Sequence, residues 1–63
     1  MTDLQAKIVK ALARNDMNVS ETARGLHYHR NTLMYQIEKI KKETGLNPIK
    51  FYDLGKLLIL VEG

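Results

Sequence analysis

The chain contains no cysteine, no tryptophan, one proline and one phenylalanine. Without cysteine there is no disulfide staple and no thiolate metal site, which fits a reducing cytoplasm. No apolar run approaches the roughly 18 residues that span a bilayer. The opening MTDLQAK is not a signal peptide, because no apolar stretch follows a basic start. Neither charge sign dominates: ten Lys and Arg stand against seven Asp and Glu, for a net charge of +3 and a pI near 9.4. The 63 residues allow one domain, 1–63. A domain this small buries only about 60% of its unfolded surface, so its stability is marginal.

Enzyme signatures are missing as well. No nucleophile stands with a base and an orienting acid, and there is no Gly-rich phosphate loop. So short a chain has little scope to enclose a pocket of about 300 Å³. His27-x-His29 has the look of a metal pair, but no Cys or acidic ligand lies nearby in sequence. The expectation is a protein without catalysis, cofactor or metal.

What is present is helical periodicity. Helix 1 is predicted from about Asp3 to Arg14, with Leu4, Ile8, Ala11 and Leu12 on one stripe. Thr2 and Gln5 have capping-box spacing. Asn15-Asp16 then breaks the pattern. Helix 2 runs from about Val19 to Leu26, opened by Asn18 as N-cap with Glu21 placed to return the bond. Ala23 and Leu26 face inward, and the small Ala23 admits a close crossing by helix 3. His27 follows at the turn, where a left-handed backbone is often required. Helix 3 runs from about Arg30 to Glu43. Leu33, Ile37 and Ile40 form its buried seam, opposite Asn31, Thr32, Tyr35, Lys39 and Lys42. Gly45 ends it and Pro48 blocks continuation. Helix 4 runs from about Phe51 to Val61, with Phe51, Leu54, Leu57, Leu58 and Val61 as its core stripe. Ile59 and Leu60 lie off that stripe, so this helix is deeply buried or sticky. Gly55 inside it costs about 1 kcal/mol relative to Ala, and a close helix crossing is one reason to keep it. Met17 and Met34 are core or core-edge filler. The expected fold is all-α, four short helices around one core.

Residues 18 to 45 are thus two helices joined by a very short turn, the second with its polar chemistry at its start. That is the layout of a helix-turn-helix, whose second helix lies in the DNA major groove. The charge agrees: Arg24 to Lys42 holds five cations and one carboxylate, Glu38, a net +4. Cations there can neutralise phosphates, although an ordinary solvated helix face carries the same pattern.

The stretch HRNTLMYQIEKIKKETGLNPIKFYDLGKLLIL, His29 to Leu60, resembles the C-terminal DNA-binding domain of the PucR/CdaR family of bacterial transcription regulators. The match runs through His29, Arg30, Asn31, Thr32, Leu33, Tyr35, Ile37, Ile40, Thr44, Gly45 and Leu46. Asn18 to Leu33 also resembles the helix-turn-helix of the nucleoid protein Fis. Gln36 departs from the family pattern, which often has a basic residue there, and NPIKFYD stands where members often have an acidic stretch. The resemblance implies transcriptional control in a bacterial cytoplasm, at the nucleoid. It also implies an effector region upstream, so this chain is either an excised domain or a small stand-alone protein.

Candidate DNA contacts follow from residue chemistry. Arg30 is the first choice for reading guanine through O6 and N7, with a phosphate clamp as the alternative. Asn31 either reads adenine or caps the first turn of helix 3. His29 donates to a phosphate or base edge, or is simply the N-cap. Thr32 suits a phosphate oxygen or a thymine methyl. Tyr35 suits a phosphate and sugar, or packs over Lys39. Gln36 flanks this face, a possible adenine reader. Lys39 and Lys42 follow the backbone electrostatically. Asn18 and Ser20 open helix 2, where a phosphate can dock or plain capping can suffice. The expected partners are double-stranded DNA and a second copy, because such proteins usually bind paired half-sites. The competing expectations are a protein–protein module that dimerises through helix 4, and nonspecific nucleoid-type binding.

Overall fold

A computed structural model describes residues 1–62. They form four α-helices and no strand: α1 Asp3–Arg14, α2 Val19–Gly25, α3 Arg30–Thr44 and α4 Phe51–Glu62. Each helix bound lies within one residue of its sequence-predicted place.

The helix starts follow from side-chain chemistry. Thr2 accepts from the Gln5 amide at 3.1 Å, and the Gln5 side chain accepts from the Thr2 amide at 3.0 Å, a complete capping box. At α2 only half of such a box forms. Asn18 Oδ1 accepts from the Glu21 amide at 2.9 Å, but Glu21 does not return the bond. Its carboxylate instead pairs with Arg24 at 2.7 Å, an i, i+3 cation on the same helix.

The turns rely on left-handed residues. After α1, Asp16 and Met17 both have positive φ, and the Met17 amide reaches back to the Leu12 carbonyl at 2.7 Å. After α2, His27 has φ 59°, its amide donates to the Arg24 carbonyl at 3.1 Å, and the Tyr28 amide donates to Ala23 at 2.8 Å. That pairing is a Schellman motif with histidine in the position usually held by glycine. The neighbouring Gly25 does not take this conformation. Replacing His27 with glycine should therefore raise stability by about 0.5–1 kcal/mol, a rise in Tm of several degrees. Thermal unfolding followed by circular dichroism measures this, and an unchanged or lower Tm refutes it.

α3 ends on Gly45 at φ 75°. The Thr44 hydroxyl donates to Ile40 at 2.7 Å and accepts from the Leu46 amide at 3.1 Å, which ties off the turn. Pro48 is fully buried beneath it. Asp53 of α4 accepts from the Asn47 amide at 3.0 Å, holding the connection to α4 in place.

Ile8, Val9, Leu12, Ala23, Leu33, Ile37, Ile40, Leu54 and Leu57 form one core, with α1 packed on both α2 and α4 and α2 on α3. Gln5 and Thr22 are buried polar residues with partners: Gln5 donates to Glu43 of α3 at 2.7 Å, and Thr22 to the Asn18 carbonyl at 2.7 Å. Two expectations for α4 fail. Phe51 is not in the core but 72% exposed, because the buried side of α4 is centred on Leu54 and Leu57. Gly55 marks no crossing inside the molecule: it is exposed, and a Cβ there would touch nothing within 4 Å. Leu58 and Val61 are half-buried at the core's edge.

Candidate nucleic-acid interface

α3 has two opposed sides. Leu33, Ile37 and Ile40 are fully buried and fasten it to the core. At about 100° per residue, Asn31, Tyr35 and Lys42 line the other side, flanked by Thr32 and Lys39. All five are exposed, Tyr35 by 64%. Gln36 is half-buried at the margin.

The start of α3 is held by α2 through the short turn. His29 occupies the N-cap position in extended conformation, yet makes no side-chain cap hydrogen bond. Asn31, the second helical residue, lies past the N-cap position. With no cap bond made, the first-turn amides keep the electropositive character of a helix N-terminus.

Arg30 is exposed, but its position differs from that of Asn31. As the first helical residue it lies about 100° round the axis from Asn31. There it lines an open crevice between α2 and α3 with Ser20, Arg24, His27, Tyr28 and His29. The structure thus brings nine of the ten candidates together as two groups. Asn31, Thr32, Tyr35, Lys39 and Lys42 lie along α3 with Gln36 at their edge, and Ser20, His29 and Arg30 gather at the crevice. Asn18 stands at the start of α2, exposed, its side-chain oxygen engaged by Glu21. Arg24 and His27 join the crevice and were not among the sequence candidates. The signal for Arg24 was its charge, and for His27 its turn position.

The charges are unevenly engaged. Among the described residues, Arg24 pairs with Glu21 and Lys41 with Glu38 at 3.4 Å, and both pairs are solvent-exposed. Such pairs are weak and yield readily to a competing anion. No carboxylate among the described residues lies within ion-pair distance of Arg30, Lys39 or Lys42. Glu43, the other acid of α3, is engaged by Gln5. The face is therefore basic on balance: Lys39 and Lys42 stand without a partner, while Glu38, seven residues after Asn31 and so on the same side, is turned to Lys41. No cluster of three His, Cys, Asp or Glu that could hold a metal occurs among the described residues. No helix among them is long and apolar enough to cross a membrane.

This arrangement agrees with comparison to known proteins. An uncharacterized protein of Bacillus subtilis (strain 168), YxkF, is 44% identical over 52 residues, covering 82% of this chain and 17% of its own length. The chain thus spans about a sixth of the length of that curated relative. No solved structure gives a significant match. The sequence model of the PucR C-terminal helix-turn-helix domain matches residues 5–60, the span that holds the core, both arms of the helix-turn-helix and nearly all of α4. By that match the chain belongs to the PucR C-terminal helix-turn-helix family, whose kind of domain points to DNA-binding transcription regulation.

Proposed function

We propose that residues 1–63 act as one DNA-binding domain that recognises a specific duplex sequence by laying α3 in the major groove. The observation that carries this reading is the division of α3: three fully buried aliphatics on one side, and on the other an exposed polar face from Asn31 to Lys42, where Lys39 and Lys42 have no ion-pair partner and the one carboxylate, Glu38, is paired with Lys41. Asn31 reads a base edge, since it is not spent on capping. Thr32, Tyr35 and Gln36 flank it, Lys39 and Lys42 follow the phosphates, and Arg30 with Ser20, His29 and Asn18 contacts the strand at the α2 side. The domain serves a bacterial regulator in the cytoplasm, binds as a homodimer, carries no catalysis or cofactor of its own, and reports on an effector region elsewhere in a longer polypeptide.

Selecting bound duplexes from a random pool tests sequence preference, and titrating the selected duplex at several salt concentrations tests the contacts. Three unpaired cations per copy, Arg30, Lys39 and Lys42, predict that log K falls against log salt with a slope of about −3 per copy. Absence of binding at low salt overturns the reading. Binding without enrichment of any sequence replaces it with nonspecific, nucleoid-type packaging.

A second reading rests on a separate observation. Phe51, Tyr52, Ile59 and Leu60 of α4 are 72%, 81%, 72% and 62% exposed, a large apolar surface for so small a domain. That surface favours a protein–protein contact through α4. A dimer that forms without DNA and ignores every duplex would make this the domain's main role.

A further inference from the structure

The exposed side of α4 has an internal symmetry. At about 100° per residue, Phe51 and Ile59 lie equally far to either side of the direction in which Gly55 faces. They are also four residues before and four after it. Tyr52 and the half-buried Leu58 repeat the relation at three residues. Gly55 itself is unexplained within the monomer, since it is exposed and has nothing near it. A glycine in the middle of an exposed helix costs stability that alanine would restore.

We infer that α4 pairs with α4 of a second copy in antiparallel fashion, the two helices crossing at Gly55. This takes up the homodimer of the preceding reading and gives it a geometry. A two-fold axis through Gly55 sets Phe51 against the partner's Ile59 and Ile59 against the partner's Phe51. Tyr52 meets the partner's Leu58 in the same way. The missing Cβ at the crossing lets the backbones approach closely. A groove of about 380 Å³ on the same side, lined by Met17, Phe51, Tyr52, Gly55 and Leu58, receives the partner's aliphatic side chains.

Charge and area both fit a second copy of this chain. Glu62 at the end of one α4 comes over the start of the other, where Lys50 precedes the positive helix terminus and the first-turn carboxylate of Asp53 is engaged by the Asn47 amide, and the helix dipoles oppose. Lys56 sits at the rim. Covering two aromatics and two aliphatics on each copy removes on the order of 1,000 Å² in total from water, the lower bound for a specific interface. The dimer is therefore weak alone.

The test is run without DNA, so that its failure and the failure of the DNA reading are separate. Sedimentation equilibrium from about 10 µM to 1 mM should show a concentration-dependent dimer. Gly55→Ala should raise the monomer's Tm by roughly 4–8 °C while raising the dimer's dissociation constant about tenfold. A glycine that merely weakens the helix would show the first effect alone. The chain has no cysteine, so introduced thiols report cleanly. An equimolar mixture of Phe51→Cys and Ile59→Cys chains should oxidise to the mixed disulfide in preference to either homodimer. A monomer throughout the range, an unchanged dissociation constant in Gly55→Ala, or preferred 51–51 cross-links each overturns the inference.

Discussion

Truncating Ile37 to alanine should leave a large share of the molecules unfolded near body temperature. Ile37 is fully buried midway along α3, in the core that joins all four helices. Removing three carbons from such a site costs about 2–5 kcal/mol, the transfer free energy plus the cavity left behind. A chain of this length has roughly 3–9 kcal/mol of total stability. It has no cysteine for a disulfide, and the described residues hold no cluster of metal-ligating side chains that could compensate. Urea unfolding followed by helical circular dichroism should show the midpoint falling by half or more with the slope retained. A loss under about 1 kcal/mol would mean that the surroundings of Ile37 collapse to fill the space, and that α3 is less firmly held than its burial indicates. Tyr35→Ala serves as the control on the same helix. Its exposed ring should cost the fold little.

Arg30→Ala should weaken binding to the preferred duplex by about 5- to 150-fold, equivalent to 1–3 kcal/mol. The fold should survive, because Arg30 is exposed and supports nothing in the core. Its two candidate roles give different outcomes. If the guanidinium reads a guanine, the mutant loses preference at one base position and tolerates substitutions there. If it clamps a phosphate, affinity falls almost equally for all sequences and the salt slope drops by about one. Placement in the crevice beside Ser20 and Arg24, about 100° from Asn31, supports the second outcome. Asn31→Ala then becomes the variant that relaxes sequence preference. Affinity and preference both unchanged in Arg30→Ala would remove this end of α3 from the interface.

Much of this was legible in the residues, and the exceptions have physical causes. Caps are local chemistry, so Thr2 with Gln5, Asn18 and Gly45 announced their helix ends within a few residues of sequence. α3 was readable because its apolar positions form one stripe with polar neighbours. α4 was not. With apolar residues on nearly every side, periodicity cannot choose which side is buried, and only tertiary packing selects Leu54 and Leu57 over Phe51. Glu21 had two partners within reach, a backbone amide and an arginine, and spacing alone does not rank them. The burial of Gln5 depends on Glu43, 38 residues away, which no local pattern reveals. The successive left-handed residues Asp16 and Met17 lack the glycine that usually marks such a turn. For the candidate site, residue type and spacing found the outward row on α3, but dividing it from the crevice group needed the angle between Arg30 and Asn31.

The bare N-cap of α3 has a thermodynamic consequence. His29 leaves the opening amides of that helix without a side-chain acceptor. An incoming phosphate oxygen would complete the turn as a serine or aspartate does elsewhere, so the ligand would finish the secondary structure of its own receptor. Docking and the tightening of that first turn would then be one event, and part of the interaction enthalpy would appear as reduced fraying rather than as new intermolecular bonds.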